Sequence, residues 1–263
     1  MGGIDVIDPR YTAVFARAQQ VLGDDHRVRS VGPGGSVGAG TADRWSDLDL
    51  AIATEPEHHQ DFIADWPNWL RRITPTVFAR TPIAPFIINT VTDQGLTLDV
   101  VVHSGEVPIY RPPAGYAVGF ASSRYETVAA ALEYAVAEQL RGLAGPFISL
   151  IQREEHLRHL TGVPHVIGLL TTVFLAETGE QQPGKTWNST YTEEQRQLVA
   201  ALPAARATRE DMIAFGLAVA RLIVERARPL FADHDLEWPA DLAQVTAGRL
   251  RDQLGLDTTD WLR

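Results

Sequence analysis

Apolar positions along the chain follow two periods. Val14, Phe15, Ala18, Val21 and Leu22 recur at helical spacing, with Asp8 placed as N-cap, Pro9 at the first helical position and Gly23 as the stop. A glycine-rich stretch, Gly32 to Gly40, leads into Asp47–Ala53. There Leu48, Leu50 and Ile52 alternate with Asp47, Asp49 and Ala51, the period of a strand. Residues 57–72 predict a helix that Pro67 bends or divides. Pro85–Thr92 and Leu96–His103 read as strands joined by the hairpin turn Asp93-Gln94-Gly95. From about Ser122 the helical period takes over, with helices predicted near 123–142, 147–160, 164–178, 192–202, 208–232 and 239–254. Pro112, Pro113, Gly115 and Gly119 mark the change. The pattern predicts an α+β chain: a small mixed sheet flanked by helices in residues 1–121, then an all-helical domain in residues 122–263.

Composition narrows the function classes. Hydrophobic residues at 45% and charged residues at 21% describe an ordinary globular protein with ample core material. The sequence shows no apolar run of roughly 18 residues and no basic-then-apolar leader, so no membrane segment is expected. Zero cysteines exclude disulfides, thiolate nucleophiles and cysteine metal sites, and fit a cytoplasmic protein. A net charge of −10 argues against a nucleic-acid partner and favours a cationic or small neutral substrate. Of the 23 bases only Lys185 is a lysine, which reads as codon bias.

The chemistry is concentrated in Gly34-Gly35-Ser36, followed after ten residues by Asp47-Leu48-Asp49. Residues two apart on a strand face the same way, so Asp47 and Asp49 project together. Paired carboxylates repel unless a positive charge lies between them, and hard oxygen ligands select Mg²⁺. Gly34-Gly35 lets backbone approach a ligand closely, and Ser36, opening a helix, offers its hydroxyl and N–H groups to phosphate oxygens. A third carboxylate, Asp99, sits in Leu96–Val102 on the face of Thr97 and Val101, where an isolated Asp is unfavourable without a metal or substrate hydroxyl as partner. Together these features describe a site for a nucleoside triphosphate and its metal.

The stretch GGSVGAGTADRWSDLDLAI resembles the signature of the nucleotidyltransferase superfamily of the DNA polymerase β type, in which a Gly-Ser turn precedes D-x-D. The chain layout is most similar to the antibiotic nucleotidyltransferases, the aminoglycoside and lincosamide adenylyltransferases. The resemblance covers roughly residues 25–105, and Arg153-Glu-Glu-His-Leu-Arg158 is similar to an Arg-x-Glu-aromatic helix in some members. Pro33, where relatives carry a bulky apolar or aromatic residue, is a departure that stiffens the entry to the turn. The resemblance implies an enzyme that transfers AMP from ATP, with Mg²⁺, to a hydroxyl of a small molecule such as an aminoglycoside or lincosamide. Asp47, Asp49 and Asp99 would be catalytic and metal-binding residues, Asp99 as a base or a further metal ligand. Gly35, Ser36 and Lys185 would bind the nucleotide, and the helical domain would complete the substrate cleft of a monomer or homodimer.

Other readings compete. Residues 179–186, GEQQPGKT, match the P-loop pattern G-x-x-x-x-G-K-[ST], which requires a strand before the loop and a helix opening at Lys-Thr; Val166–Glu177 is the candidate strand. Arg153 and His159 fit a loose Arg-x5-His pattern of helical RNases linked to nucleotidyltransferases, so a protein- or RNA-directed, antitoxin-like transferase is an alternative. A module that senses nucleotide without transfer is a third. His58 and His59 are expected to be solvated, and no histidine pair has zinc-ligand spacing.

Overall fold

The alternation from Asp47 onward resolves into a strand in which Leu48, Leu50 and Ile52 build the core while Asp49 and Ala51 stay half-buried. The structure, a computed structural model, describes residues 3–81, 86–105, 125–180 and 187–262. The chain divides into two units, Met1–Ala114 and Gly115–Arg263.

The first unit runs α1 (Arg10–Gly23), β1 (Val28–Pro33), α2 (Gly35–Gly38), β2 (Leu48–Thr54), a 3-10 turn (Pro56–His58), α3 (His59–Ala64), α4 (Trp66–Ile73), β3 (Thr76–Arg80), β4 (Ile87–Thr92) and β5 (Thr97–Ser104). The five strands form one sheet in the order β1-β2-β5-β4-β3. The central pair, β2 and β5, is parallel, and every other pairing is antiparallel. Leu48, Leu50 and Ile52 of β2 and Leu98, Val100 and Val102 of β5 are buried in one cluster with Leu22, Phe62, Trp69 and Leu70. Each such side chain contributes roughly 1.5–3 kcal/mol over leaving it in water. Polar anchors fix the helices over this face. The Tyr11 hydroxyl donates to the Thr97 carbonyl at 2.9 Å, and Trp69 Nε1 donates to the Phe62 carbonyl at 3.0 Å while its ring stacks on Phe62.

Several sequence expectations need adjustment. In α1, Pro9 occupies the cap position rather than the first helical one, and Asp8 still serves the helix start by accepting the Arg10 N–H at 3.0 Å. β2 begins at Leu48, which leaves Asp47 at its entry. Pro67 divides the predicted 57–72 helix: α3 ends at Ala64, and α4 restarts with Pro67 in its first turn, where no N–H is required. β1 and β3 escape the period-2 pattern because they are edge strands carrying register shifts, and neither buries an alternating face.

The second unit contains α5 (Val128–Gly142), a π-helical turn (Leu143–Phe147), α6 (Ile148–Gln152), α7 (His156–Thr178), α8 (Trp187–Thr190), α9 (Glu193–Ala200), α10 (Arg209–Asp233), α11 (Ala240–Leu254) and α12 (Thr259–Leu262). The predicted break near Pro164 is absent, since α7 runs through that proline. The break falls instead at 153–155, where Glu154 adopts a φ of 55°. By length and composition α7 could cross a membrane, contrary to the expectation from the run lengths, with a mean hydropathy of 1.4 in its most apolar window. Its C-terminal half, Leu169 to Ala176, is buried, and the helix packs against α5 and α10 as a core element of this unit.

Candidate active site

The site is assembled by the turn that joins β1 to α2. The Gly34 N–H donates to the Asp49 carbonyl at 2.8 Å, which pins the turn to β2. A Cβ on Gly34 would stand 3.3 Å from the Asp49 Cβ. Gly35 has two reasons to be glycine. Its φ is +49°, and a Cβ there would overlap the Asp49 carboxylate, reaching 2.6 Å from its Cγ. Gly38 is equally confined, because a Cβ would come within 2.5 Å of the Pro33 carbonyl. The turn thus exists in this form only with the backbone of Gly35 laid against the side chain of Asp49. Ser36, partly exposed, lies in the short helix α2, which closes with Gly38 N–H donating to Gly34 O at 2.7 Å and Ala39 N–H to Gly35 O at 3.0 Å.

Asp47 lies at the entry to β2 and Asp49 is the second residue of the strand, and both are half-buried. The approach to Asp47 is set by a reciprocal turn that sequence reasoning missed. Asp43 Oδ1 accepts from the Trp45 N–H at 2.9 Å and from the Ser46 hydroxyl at 3.1 Å, while the Asp43 N–H donates to Ser46 Oγ at 3.1 Å. The signal was present as Asp-x-x-Ser, a side-chain turn motif.

Asp99 stands directly across from Asp49 in the parallel β2–β5 register. The same row continues outward: Asn89 of β4 is the register partner of Asp99, and Arg80 of β3 is the partner of Asn89. Asp49, Asp99, Asn89 and Arg80 therefore form one line across four strands, each step about 4.8 Å. Asn89 and Arg80 were not singled out from sequence. Their signal, a polar residue at the odd phase of each strand, becomes meaningful only once the register is known. All four positions are half-buried, on the side of the sheet away from the aliphatic core.

The structure therefore brings Gly35, Ser36, Asp47, Asp49 and Asp99 to one edge of the parallel strand pair. Asp47, Asp49 and Asp99 each engage in further polar or electrostatic interactions. Among the described residues, no group of three His, Asp or Glu side chains is drawn together tightly enough to hold a metal as it stands. The donor chemistry nevertheless fits a hard divalent cation, since all three groups are carboxylates, Asp47 at the entry to β2 and Asp49 and Asp99 paired on the adjacent strands β2 and β5.

The remaining candidates lie elsewhere. Lys185 is outside the described residues. The element before residues 179–186 is the helix α7, ending at Gly179 with a φ of 74°, and not the strand that a phosphate-cradling P-loop requires. This removes the P-loop NTPase reading. Arg153 caps α6, so the fragment 153–158 spans a break instead of lying on one helix. His59, expected to be solvated, is partly buried with Nδ1 2.9 Å from Thr54 Oγ1, whose own proton goes to the His103 carbonyl at 3.0 Å. Burial holds His59, His103 and His159 below the usual imidazole pKa.

Residues 17–103 match the family model of the nucleotidyltransferase domain, a span that contains the Gly34–Ser36 turn, Asp47, Asp49 and Asp99. No curated protein matches the chain. Among solved structures, an aminoglycoside 6-adenyltransferase from Bacillus subtilis is 11% identical over 90% of this chain and 95% of that one, with a TM-score of 0.40.

Proposed function

Since the chain carries a nucleotidyltransferase domain and is an enzyme of that superfamily, we propose that it transfers AMP from ATP to a hydroxyl of a small molecule and releases pyrophosphate. The observation that carries this reading is the register pairing of Asp49 with Asp99 beside the Gly35 turn. Asp47 and Asp49 would hold Mg²⁺, which when bound neutralises charge on the phosphates as it develops. Ser36 Oγ and the turn backbone receive the β- and γ-phosphate oxygens, and Lys185 adds a single point charge to them. Asp99 accepts the proton of the acceptor hydroxyl. The acceptor oxygen then bonds to the α-phosphorus as the bond to the bridging oxygen breaks, and pyrophosphate leaves with its electron pair.

The acceptor class in this reading is an antibiotic of the aminoglycoside or lincosamide kind, acted on in the cytoplasm. A net charge of −10 supports a cationic or neutral acceptor over a polyanionic one. The test is pyrophosphate release from ATP and Mg²⁺ against a panel of aminoglycosides and lincosamides. Stimulation by one class identifies the acceptor. Release that no hydroxylated small molecule stimulates, with transfer to protein or RNA instead, would replace this reading.

A further inference from the structure

The helical unit contains a cavity that the chemistry of the first unit does not use. It lies where α5 passes into the π-helical turn, between α7 and α10, with a volume of about 160 Å³. Cavities of about 150 Å³ lined by aliphatic and aromatic side chains accommodate a single benzene ring. Phe147, Leu150, Val166, Leu169 and Phe215 supply apolar wall. The wall is held in shape by two backbone features. Pro146 lacks an N–H and sits inside the π turn, and Gly216 of α10 receives the Phe147 ring, which a Cβ there would meet at 2.5 Å.

The polar lining is sparse and balanced in charge. The Glu138 carboxylate lies 3.8 Å from Arg141 and 3.8 Å from His165. His159 is kept toward its neutral form by burial. Gln139 is the unusual member. It is 4% exposed, lines the cavity, and its Oε1 is buried with no hydrogen-bond partner among the described residues. A buried amide oxygen left unsatisfied is costly, and the residue that carries it is part of the cavity wall.

We propose that this cavity is a binding site for a neutral, single-ring-sized apolar molecule bearing one O–H or N–H donor, which satisfies Gln139. Size follows from the volume, neutrality from the Glu138–Arg141 pairing, and the donor from the orphaned oxygen. The site is independent of the transfer reaction proposed above and stands or falls without it.

Calorimetric titration of the full chain with benzyl alcohol, toluene, benzylamine and benzoate tests it. Benzyl alcohol should bind about tenfold more tightly than toluene, the worth of one hydrogen bond to a buried acceptor, and more tightly than either charged probe. In Gln139→Leu the two neutral probes should converge to within roughly twofold. Melting of Gln139→Leu without any probe should move to higher temperature, which also shows that this variant folds. Val166→Phe, and Val163→Phe as a second filling variant, should abolish binding of both neutral probes. Equal affinity of the parent for benzyl alcohol and toluene, failure of both to bind, or binding that survives in both filling variants would overturn the proposal.

Discussion

Two glycine-bearing segments, Gly34–Ser36 and Gly179–Thr186, both carry letters associated with phosphate binding, yet the chain gives them different surroundings. The first leaves an edge strand, is pinned by the Asp49 carbonyl, and lays Gly35 against the Asp49 carboxylate. The second leaves a helix through a left-handed Gly179, where among the described residues, its chain neighbours aside, no atom lies within 4 Å of where a Cβ would be. The longer and more specific-looking letter string is the one whose structural context fails. Phosphate chemistry is decided by the element before the loop and by what the glycine touches, and only then by the motif.

Substitutions can break this contrast, beginning with the largest effect. Asp99→Ala should lower kcat by roughly 10²–10⁴-fold, the span for losing a general base, with ATP affinity changed much less. Steady-state kinetics against both substrates separate that from a metal-ligand role, in which binding and turnover would fall together. Asp49→Asn and Asp47→Asn should each cost at least ~10²-fold if, as proposed, the charge lost is a metal ligand's.

The glycines then sharpen the comparison. Gly35→Ala must displace the Asp49 carboxylate as well as adopt a positive φ, so turnover should fall by ~10²-fold or more. Gly179→Ala carries only the positive-φ cost of about 1–2 kcal/mol. It should lower Tm by a few degrees and leave kcat/KM within about twofold. Equal loss of activity in the two variants would erase the distinction drawn here. Lys185→Ala should raise the KM for ATP by about tenfold with kcat nearly unchanged, as expected for a single charge on the phosphates and not a wrapped loop.

The smallest effect is on pH. Burial lowers the pKa of His59, His103 and His159 in the folded state. The unfolded chain therefore binds protons that the folded one refuses. The stability associated with these neutral imidazoles is present above the unfolded value near 6.5 and is lost as pH falls through the lower folded values. Tm should drop between about pH 7 and pH 5, and His159→Asn should flatten part of that slope. An unchanged slope in that variant would show that His159 does not contribute.

Much of the fold was legible because burial imposes a period. Leu48, Leu50 and Ile52 announced β2, Gly95 announced the β4–β5 hairpin, and α10 and α11 of the second unit were placed within a residue of their observed ends. Edge strands carry no such imprint: β1, with Arg29 and Ser30 exposed, and β3, half-buried throughout, were not readable. Pro164 shows a related limit, since a proline inside α7 costs a hydrogen bond that the packing of the helix on α5 and α10 outweighs. Lys185 lies outside the described residues, and at the candidate site Gly35, Ser36, Asp47, Asp49 and Asp99 could be named as candidates from their spacing. Asn89 and Arg80 could not, because only the β5–β4–β3 register puts them in line with Asp99.

The central claim is that the Gly34–Ser36 turn and the Asp47–Asp49 pair form the nucleotide site. A crystal structure with a non-hydrolysable ATP analogue and Mg²⁺ tests it most directly. The account predicts the triphosphate against Gly35 and Ser36, with the metal on Asp47 and Asp49 and Lys185 touching a phosphate at most as one point contact. Phosphates cradled by the backbone N–H groups of residues 180–186, with the two aspartates away from the metal, would contradict it.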